Sequence, residues 1–244
     1  MSFKVVIPAR YASKRLPGKA LLILKDKPIV QYVYENACAS GADEVIIATD
    51  DQRIVDAVNK FNAKVCLTSD KHTSGTDRIA EVAELSGWGK EVVIVNVQGD
   101  EPQMPTTNIK QVAQNLLSHE KASMSTLCAP ITDNKDFDNP NVVKVIFDAN
   151  NMALNFSRVI EKLNCKNPIT DRSIVYRHLG IYAYRVGFLN TFTSLPPSSF
   201  EIKESLEQLR ALQNGYQIFV EVCNQTTGIG VDTQDDYDAL LKSI

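Results

Sequence analysis

The sequence predicts an α/β fold: an open, doubly wound, mostly parallel, Rossmann-like sheet with a smaller mixed, β-rich portion in its second half. Three observations carry this. Residues 3–8, 44–48 and 91–97 are Val/Ile-rich runs without polar alternation, as parallel strands buried on both faces require. The segments between them repeat apolar residues at helical spacing. After about residue 122, strand-like runs follow without helices of matching length between them.

The first strand ends in "PARYASKRLPGKA" (8–20), where Arg10, Arg15 and Lys19 surround a Pro17-Gly18 turn. Ile29, Val30, Val33, Tyr34 and Ala37 share one helical face before the strand at 44–48. Ile54, Val55 and Val58 do the same after it, and Ile79, Val82 and Ala83 in a third segment. The run at 91–97 leads into "VNVQGDEP" (95–102), and Pro105 opens a helix striped by Ile109, Val112, Ala113, Leu116 and Leu117. In the second half "VVKVIFD" (142–148) and "YRHLGIYAYRV" (176–186) read as strands, with a loop over 163–173. "SLPPSS" (194–199) precedes one helix over roughly 201–213, in which Ile202, Leu206 and Leu209 face a core and Glu204, Glu207, Gln208 and Ala211 another face. "YQIFVEV" (216–222) returns to strand, and "GIGVDT" (228–233) brings a second strand-end carboxylate, Asp232. A last helix carries Tyr237, Leu240, Leu241 and Ile244.

At 244 residues the chain can bury a substantial core as a single domain, 1–244, and 44% apolar with 23% charged residues is an ordinary globular composition. A formal charge of −3 argues against a nucleic-acid footprint but leaves room for a local cationic pocket. The five cysteines (38, 66, 128, 165 and 223) contain no Cys-x-x-Cys pair, so neither a zinc site nor a disulfide framework is signalled. The N-terminus opens on a strand and no apolar run reaches membrane-spanning length, so a cytoplasmic protein without a membrane partner is expected.

A loop leaving the first parallel strand gathers backbone N–H groups and leads toward a helix N-terminus, a favourable place for phosphate. Arg10, Arg15 and Lys19 then have a target, although a solvated basic loop would look the same. Neither G-x-G-x-x-G nor G-x-x-x-x-G-K-[ST] is present here, which removes the main support for a nicotinamide site or a P-loop NTPase. "VNVQGDEP" presents Gln98, Asp100 and Glu101 at a strand end, where a carboxylate suits Mg²⁺ completed by phosphate oxygens and water. Asp100 could equally end its strand in a turn, and Asp232 could cap the last helix. Together with the cationic loop, the pair points to a metal-bound nucleoside triphosphate. In "HTSGTDR" (72–78), Ser74, Gly75 and Thr76 allow close approach to a base or ribose, while Asp77 and Arg78 also read as first-turn helix charges. His178 is either a satisfied half-buried side chain or a polar contact for an acceptor.

The ordered set "IPARYASKRLPGK", "ATDD", "HTSGTDRIAEV", "NVQGDEP", "NPNVVKVIFD", "FSR", "YRHLGIYAYR", "ESLEQLRAL" and "GVDT" closely resembles the 3-deoxy-manno-octulosonate cytidylyltransferases, the CMP-Kdo synthetases, over almost the whole chain. The resemblance implies a nucleotidyltransferase fold whose portion at roughly 130–225 serves acceptor binding and dimerisation. It implies a cytosolic homodimer joining CTP and Kdo with Mg²⁺ to give CMP-Kdo and pyrophosphate for lipopolysaccharide biosynthesis. By the same resemblance the nucleotide site takes Arg10, Ser13, Lys19, Ser74, Gly75 and Arg78, and the metal site Asp100 and Asp232. Lys19 and Arg10 join those two carboxylates as the catalytic set. Kdo contacts are expected from Arg15, Gln98, Arg158, His178, Tyr182, Glu207 and Gln208. The match departs at "ALNFSRVIEKLNCKNPITDRSIVYRHLG", where Asn155 stands at a Tyr position and an Ile-Pro loop is missing. Alternatives are therefore a cytidylyltransferase for 8-amino-Kdo or a sialic acid, or a catalytically silent nucleotide binder.

Overall fold

The computed structural model describes residues 2–13, 15–163, 169 and 171–243. The first half runs β1 (Lys4–Pro8), a small hairpin of β2 (Ile23–Leu24) and β3 (Lys27–Pro28), α1 (Ile29–Ala39), β4 (Glu44–Thr49), α2 (Gln52–Asn59), β5 (Lys64–Leu67), α3 (Gly75–Leu85), β6 (Val93–Asn96) and α4 (Thr106–Ser118). The second half adds β7 (Met124–Pro130), α5 (Lys135–Asp138), β8 (Lys144–Phe147), β9 (Ala153–Ser157), β10 (Tyr176–Arg185) and α6 (Val186–Ser194). It closes with α7 (Ser199–Glu204), α8 (Gln208–Gln213), β11 (Ile218–Val222) and α9 (Gln234–Ser243).

Among the described residues nine strands make one sheet in the order β11-β7-β10-β6-β1-β4-β5, with β8 and β9 attached beside β10. β6, β1, β4 and β5 run parallel, as do β11 and β7, while β10 lies antiparallel between β6 and β7. The sheet is thus open, doubly wound and mostly parallel, as the sequence predicts. Consecutive Val5, Val6 and Ile7 are fully buried because β1 is covered on both faces. Val30, Val33, Ile109, Val112 and Leu116 of α1 and α4 pack on one face. Ile79, Val82, Leu189, Phe192 and Leu209 of α3, α6 and α8 pack on the other. Each such side chain contributes about 1.5–3 kcal/mol of burial. Arg185 donates to the carbonyls of Leu116 and Ala122, both at 2.7 Å, and so serves the C-terminal end of α4.

Three expectations are corrected. The helix expected over 201–213 is two helices, because Ser205 sits at φ 54°, in the left-handed region, and Ile202, expected to face the core with Leu206 and Leu209, is instead exposed. That break lets Arg210 of α8 fold back onto Glu201 of α7 through bonds of 2.9 and 2.5 Å. "GIGVDT" is not a strand: the segment runs as a loop whose Val231 N–H donates to the Asp100 carbonyl at 2.9 Å. A helix, α6, directly follows the 176–186 strand run. Of the loop expected over 163–173, residues 164–168, including Cys165, and residue 170 lie outside the described residues, as does Ile244 of the last helix.

Candidate active site

β1 and β6 are neighbours, so their carboxyl ends emerge side by side, where ligands of open α/β sheets collect. Gly99 makes the closeness possible: a Cβ built there would lie 2.9 Å from the Pro8 carbonyl oxygen and 3.3 Å from the Ala9 Cβ. Between these ends opens a cleft of about 330 Å³ lined by Arg10, Ser13, Lys19, Gly75, Gln98 and Asp100, with Pro8 and Gly99 in its floor. Six of the residues expected to bind nucleotide, metal or acceptor therefore share one cavity.

Lys19 opens a single 3-10 turn after Gly18 and bonds both Asp100 and Asp232, the latter at 2.9 Å. Burial pulls the Lys19 ammonium down, but the two carboxylates outweigh it and hold it above its ordinary value. Arg15 reaches the second oxygen of Asp232 at 2.8 Å in an exposed pair. Arg10 donates to the carbonyls of His72 and Thr73 at 3.1 and 3.3 Å, which ties the first loop to the turn before α3. Its partial burial, and then the nearby Arg78 guanidinium, lower the Arg10 pKa.

Ser74 caps α3 by accepting from the Asp77 N–H at 3.0 Å while Asp77 accepts from the Ser74 N–H at 3.2 Å. This capping box aims the N-terminus of α3, with Gly75, at the cleft. Arg78 is elsewhere: it is fully buried, ion-paired to Asp50 at 2.7 Å and bonded to Thr68, with its Nε unpartnered. It underlies Arg10 instead of lining the cleft, because its partners come from the ends of β4 and β5.

A second polar group continues from Gln98. Gln98 donates to Asn96 at 3.3 Å, Thr76 donates to Glu207 at 2.5 Å, and Thr76 and Asn96 partly offset the effect of burial on the neighbouring Tyr184 hydroxyl. Burial raises the Glu207 carboxyl, and its Oε1 and the Gln208 Nε2 are buried without hydrogen-bond partners. The Arg210 guanidinium lies 3.8 Å from that Oε1, while the Gln208 Nε2 is a donor that a ligand hydroxyl or carboxylate oxygen can meet. Tyr182 lies 5.2 Å from the His178 ring and 5.9 Å from the Tyr184 ring, and burial holds its hydroxyl far above the ordinary phenol value. The Thr126 hydroxyl donates to the Ile181 carbonyl, so it accepts from His178 Nε2 at 2.9 Å. Burial pushes the His178 pKa down to about 3. Arg158 is held away from the cleft, donating to the carbonyls of Glu204 and Pro140 at 3.1 and 3.0 Å.

Asn96, Thr76, Tyr184, Asp50 and Thr68 belong to this arrangement although no motif singles out their roles. Thr76 carried a signal as one of the small residues of "HTSGTDR", and Asp50 as part of "ATDD". Glu101 turns from the cleft toward Arg177 and His178, and burial, followed by Asp100 and Asp232, pushes its carboxyl up to about 8. A larger cavity of about 470 Å³ lies between β9 and α7–α8 with mainly apolar walls and shares no lining residue with the cleft. At Asn155 in its wall, the side chain bonds the carbonyls of Lys162 and Leu163, both at 3.0 Å.

Residues 4–218 match the model of a family described as cytidylyltransferase. The chain is 51% identical to a 3-deoxy-manno-octulosonate cytidylyltransferase of Thioalkalivibrio sulfidiphilus (strain HL-EbGR7), over 99% of this chain and 98% of that one. It is 50% identical to the protein of the same name from Vibrio vulnificus (strain YJ016), over 100% and 98%. The solved structure of a CMP:2-keto-3-deoxy-manno-octonic acid synthetase complexed with CTP superposes with a TM-score of 0.89 at 37% identity, covering 100% of this chain and 98% of that one.

Proposed function

The chain belongs to the 3-deoxy-manno-octulosonate cytidylyltransferase family, and on that premise we propose that it joins CTP and Kdo to give CMP-Kdo and pyrophosphate. It is an enzyme, a nucleotidyltransferase. The observation that carries the reading is the Lys19 ammonium between Asp100 and Asp232, in a cleft that also holds Arg10 and the N-terminus of α3.

The anomeric hydroxyl oxygen of Kdo attacks the α-phosphorus of CTP, the bond from that phosphorus to the bridging oxygen breaks, and pyrophosphate leaves as the hydroxyl proton passes to solvent. Such transfers ask for positioning and charge neutralisation more than covalent chemistry. Arg10, Lys19 and the α3 N-terminus at Gly75 would cradle the triphosphate, with Ser13 and Ser74 beside it. Lys19 satisfies both carboxylates, and its flexible stem would let it reach the departing pyrophosphate as well. Gln98, Tyr182, Glu207, Gln208 and, at the rim, Arg15 would hold Kdo. Arg78 and Arg158 would act through the loops they brace, and His178 as a neutral donor that orients its strand.

The donor set fits Mg²⁺: Asp100 and Asp232 converge on one ammonium and present hard carboxylate oxygens, so they would hold the ion while phosphate oxygens and water complete its shell. When bound, Mg²⁺ neutralises phosphate charge and makes a nearby hydroxyl easier to deprotonate.

No described helix is long and apolar enough to cross a membrane. A cytosolic homodimer supplying lipopolysaccharide biosynthesis, with residues of roughly 130–225 forming the acceptor and dimerisation portion, completes the proposal. The test is pyrophosphate release from CTP and Mg²⁺ with Kdo, 8-amino-Kdo and sialic acid in parallel. Release with Kdo is expected; release only with another acid sugar would reassign the acceptor, and release with none would leave a nucleotide binder.

A further inference from the structure

Asp232 is carried by a loop of mostly exposed residues that follows β11, yet it arrives opposite Asp100. A row of amide side chains explains how. Gln111 of α4 donates to Glu221 and to the Val222 carbonyl at 2.7 and 2.9 Å and accepts from the Asn224 N–H at 2.9 Å. One turn earlier Asn108 donates to the Gln225 carbonyl at 2.7 Å and accepts from the Gln225 N–H at 3.2 Å. Gln103 then accepts from the Ile229 N–H at 3.0 Å, and the Asp100 carbonyl accepts from the Val231 N–H at 2.9 Å.

Asn108 is fully buried and Gln111 is 5% exposed, so both amides are committed to this loop and not to water. Each offers a donor and an acceptor, as a neighbouring β-strand would. The seam ends on the residue before Asp232 and on the carbonyl of Asp100 itself. Gly228 is part of the fit: a Cβ there would overlap the Gln103 Oε1 and lie 2.6 Å from the Gln103 Cβ.

We infer that Gln103, Asn108 and Gln111 are positioning residues that set the spacing of the Asp100 and Asp232 carboxylates, and so tune the affinity for a divalent cation. This rests on the Mg²⁺ reading above. None of the three lines the cleft; they act through the backbone of the Asp232 loop.

Gln103 is the residue to change, because it is only partly buried and its loss leaves the core intact. Mn²⁺ binding to the full chain, with a non-hydrolysable CTP analogue present, is read by electron paramagnetic resonance for wild type, Gln103→Ala, Gln103→Met and Gly228→Ala. Asp100→Asn is the control. The expectation is affinity weakened about tenfold in all three seam variants, the usual cost of losing an outer support of a metal site. Gln103→Met keeps the volume without the acceptor, so a loss there assigns the effect to the hydrogen bond. Wild-type Mn²⁺ affinity in Gln103→Ala and Gln103→Met, with Asp100→Asn impaired, would overturn the inference and leave the metal site standing. A wild-type chain that binds no Mn²⁺ would overturn the metal reading and the inference with it.

Discussion

Asp100 and Asp232 meet on one ammonium, that of Lys19. Two carboxylates this close would repel, and the shared lysine both relieves that repulsion and is itself kept protonated by it.

Removing either partner should therefore be felt in turnover before binding. Asp100→Asn and Lys19→Met are each expected to lower kcat on the order of 10²-fold, the scale of losing one preorganised electrostatic contact. Steady-state pyrophosphate release at saturating Mg²⁺ and CTP measures it, and near wild-type turnover for Asp100→Asn would take that carboxylate out of the metal site.

Arg15 is expected to divide the two substrates. Its exposed pair with Asp232 adds little stability, so Arg15→Ala should leave the melting temperature unchanged and raise the KM for Kdo more than that for CTP. Equal rises for both would refute the acceptor role.

Gly99 tolerates no side chain. Gly99→Ala would press a Cβ to 2.9 Å from a backbone carbonyl that cannot rotate away, at a cost of about 1–3 kcal/mol, and would shift Asp100. Urea midpoint and kcat should fall together; a variant with intact stability would show that the two strand ends can separate freely.

The Arg210–Glu201 pair is bidentate and largely buried, with the guanidinium also 4.8 Å from the Phe192 ring. Breaking such a pair from one side leaves a buried charge, so Arg210→Met is expected to cost about 3 kcal/mol of unfolding free energy. A chemical-denaturation difference below about 1 kcal/mol would mean that Glu201 finds water.

His178 gives a pH signature. Its folded pKa, about 3, lies below the ordinary value of 6.5, because burial against Phe156, Tyr182 and Thr126 disfavours the charged ring. The unfolded chain takes up this proton first, so its contribution to stability is fully present above about 6.5 and is lost as pH falls toward 3. His178→Gln should flatten the acid limb of the stability curve between those values, and an unchanged slope would contradict the buried, neutral state.

The uninterrupted Val/Ile runs made β1, β4 and β6 legible, since apolar burial on both faces is written into each strand. β7 was not legible because Ser125 and Thr126 sit at its centre, and their hydroxyls are satisfied by Val112, Ile181 and His178, partners that exist after folding. The cationic loop and Asp100 could be read from their place after strands. Arg78 could not: its burial depends on Asp50 and Thr68 meeting it from two other connections. The break at Ser205 also left no mark, a serine at positive φ being uncommon.

The antiparallel strand β10 fills the gap between β6 and β7, although it is made long after β6. During synthesis the early half must therefore wait with the apolar edge of Val93–Asn96 unpaired until Tyr182–Arg185 emerges to cover it. An unpaired strand edge is a template for other chains. The order of translation thus exposes a sticky seam beside the future cleft, and a chain released before β10 would be expected to aggregate rather than to persist as a half-enzyme.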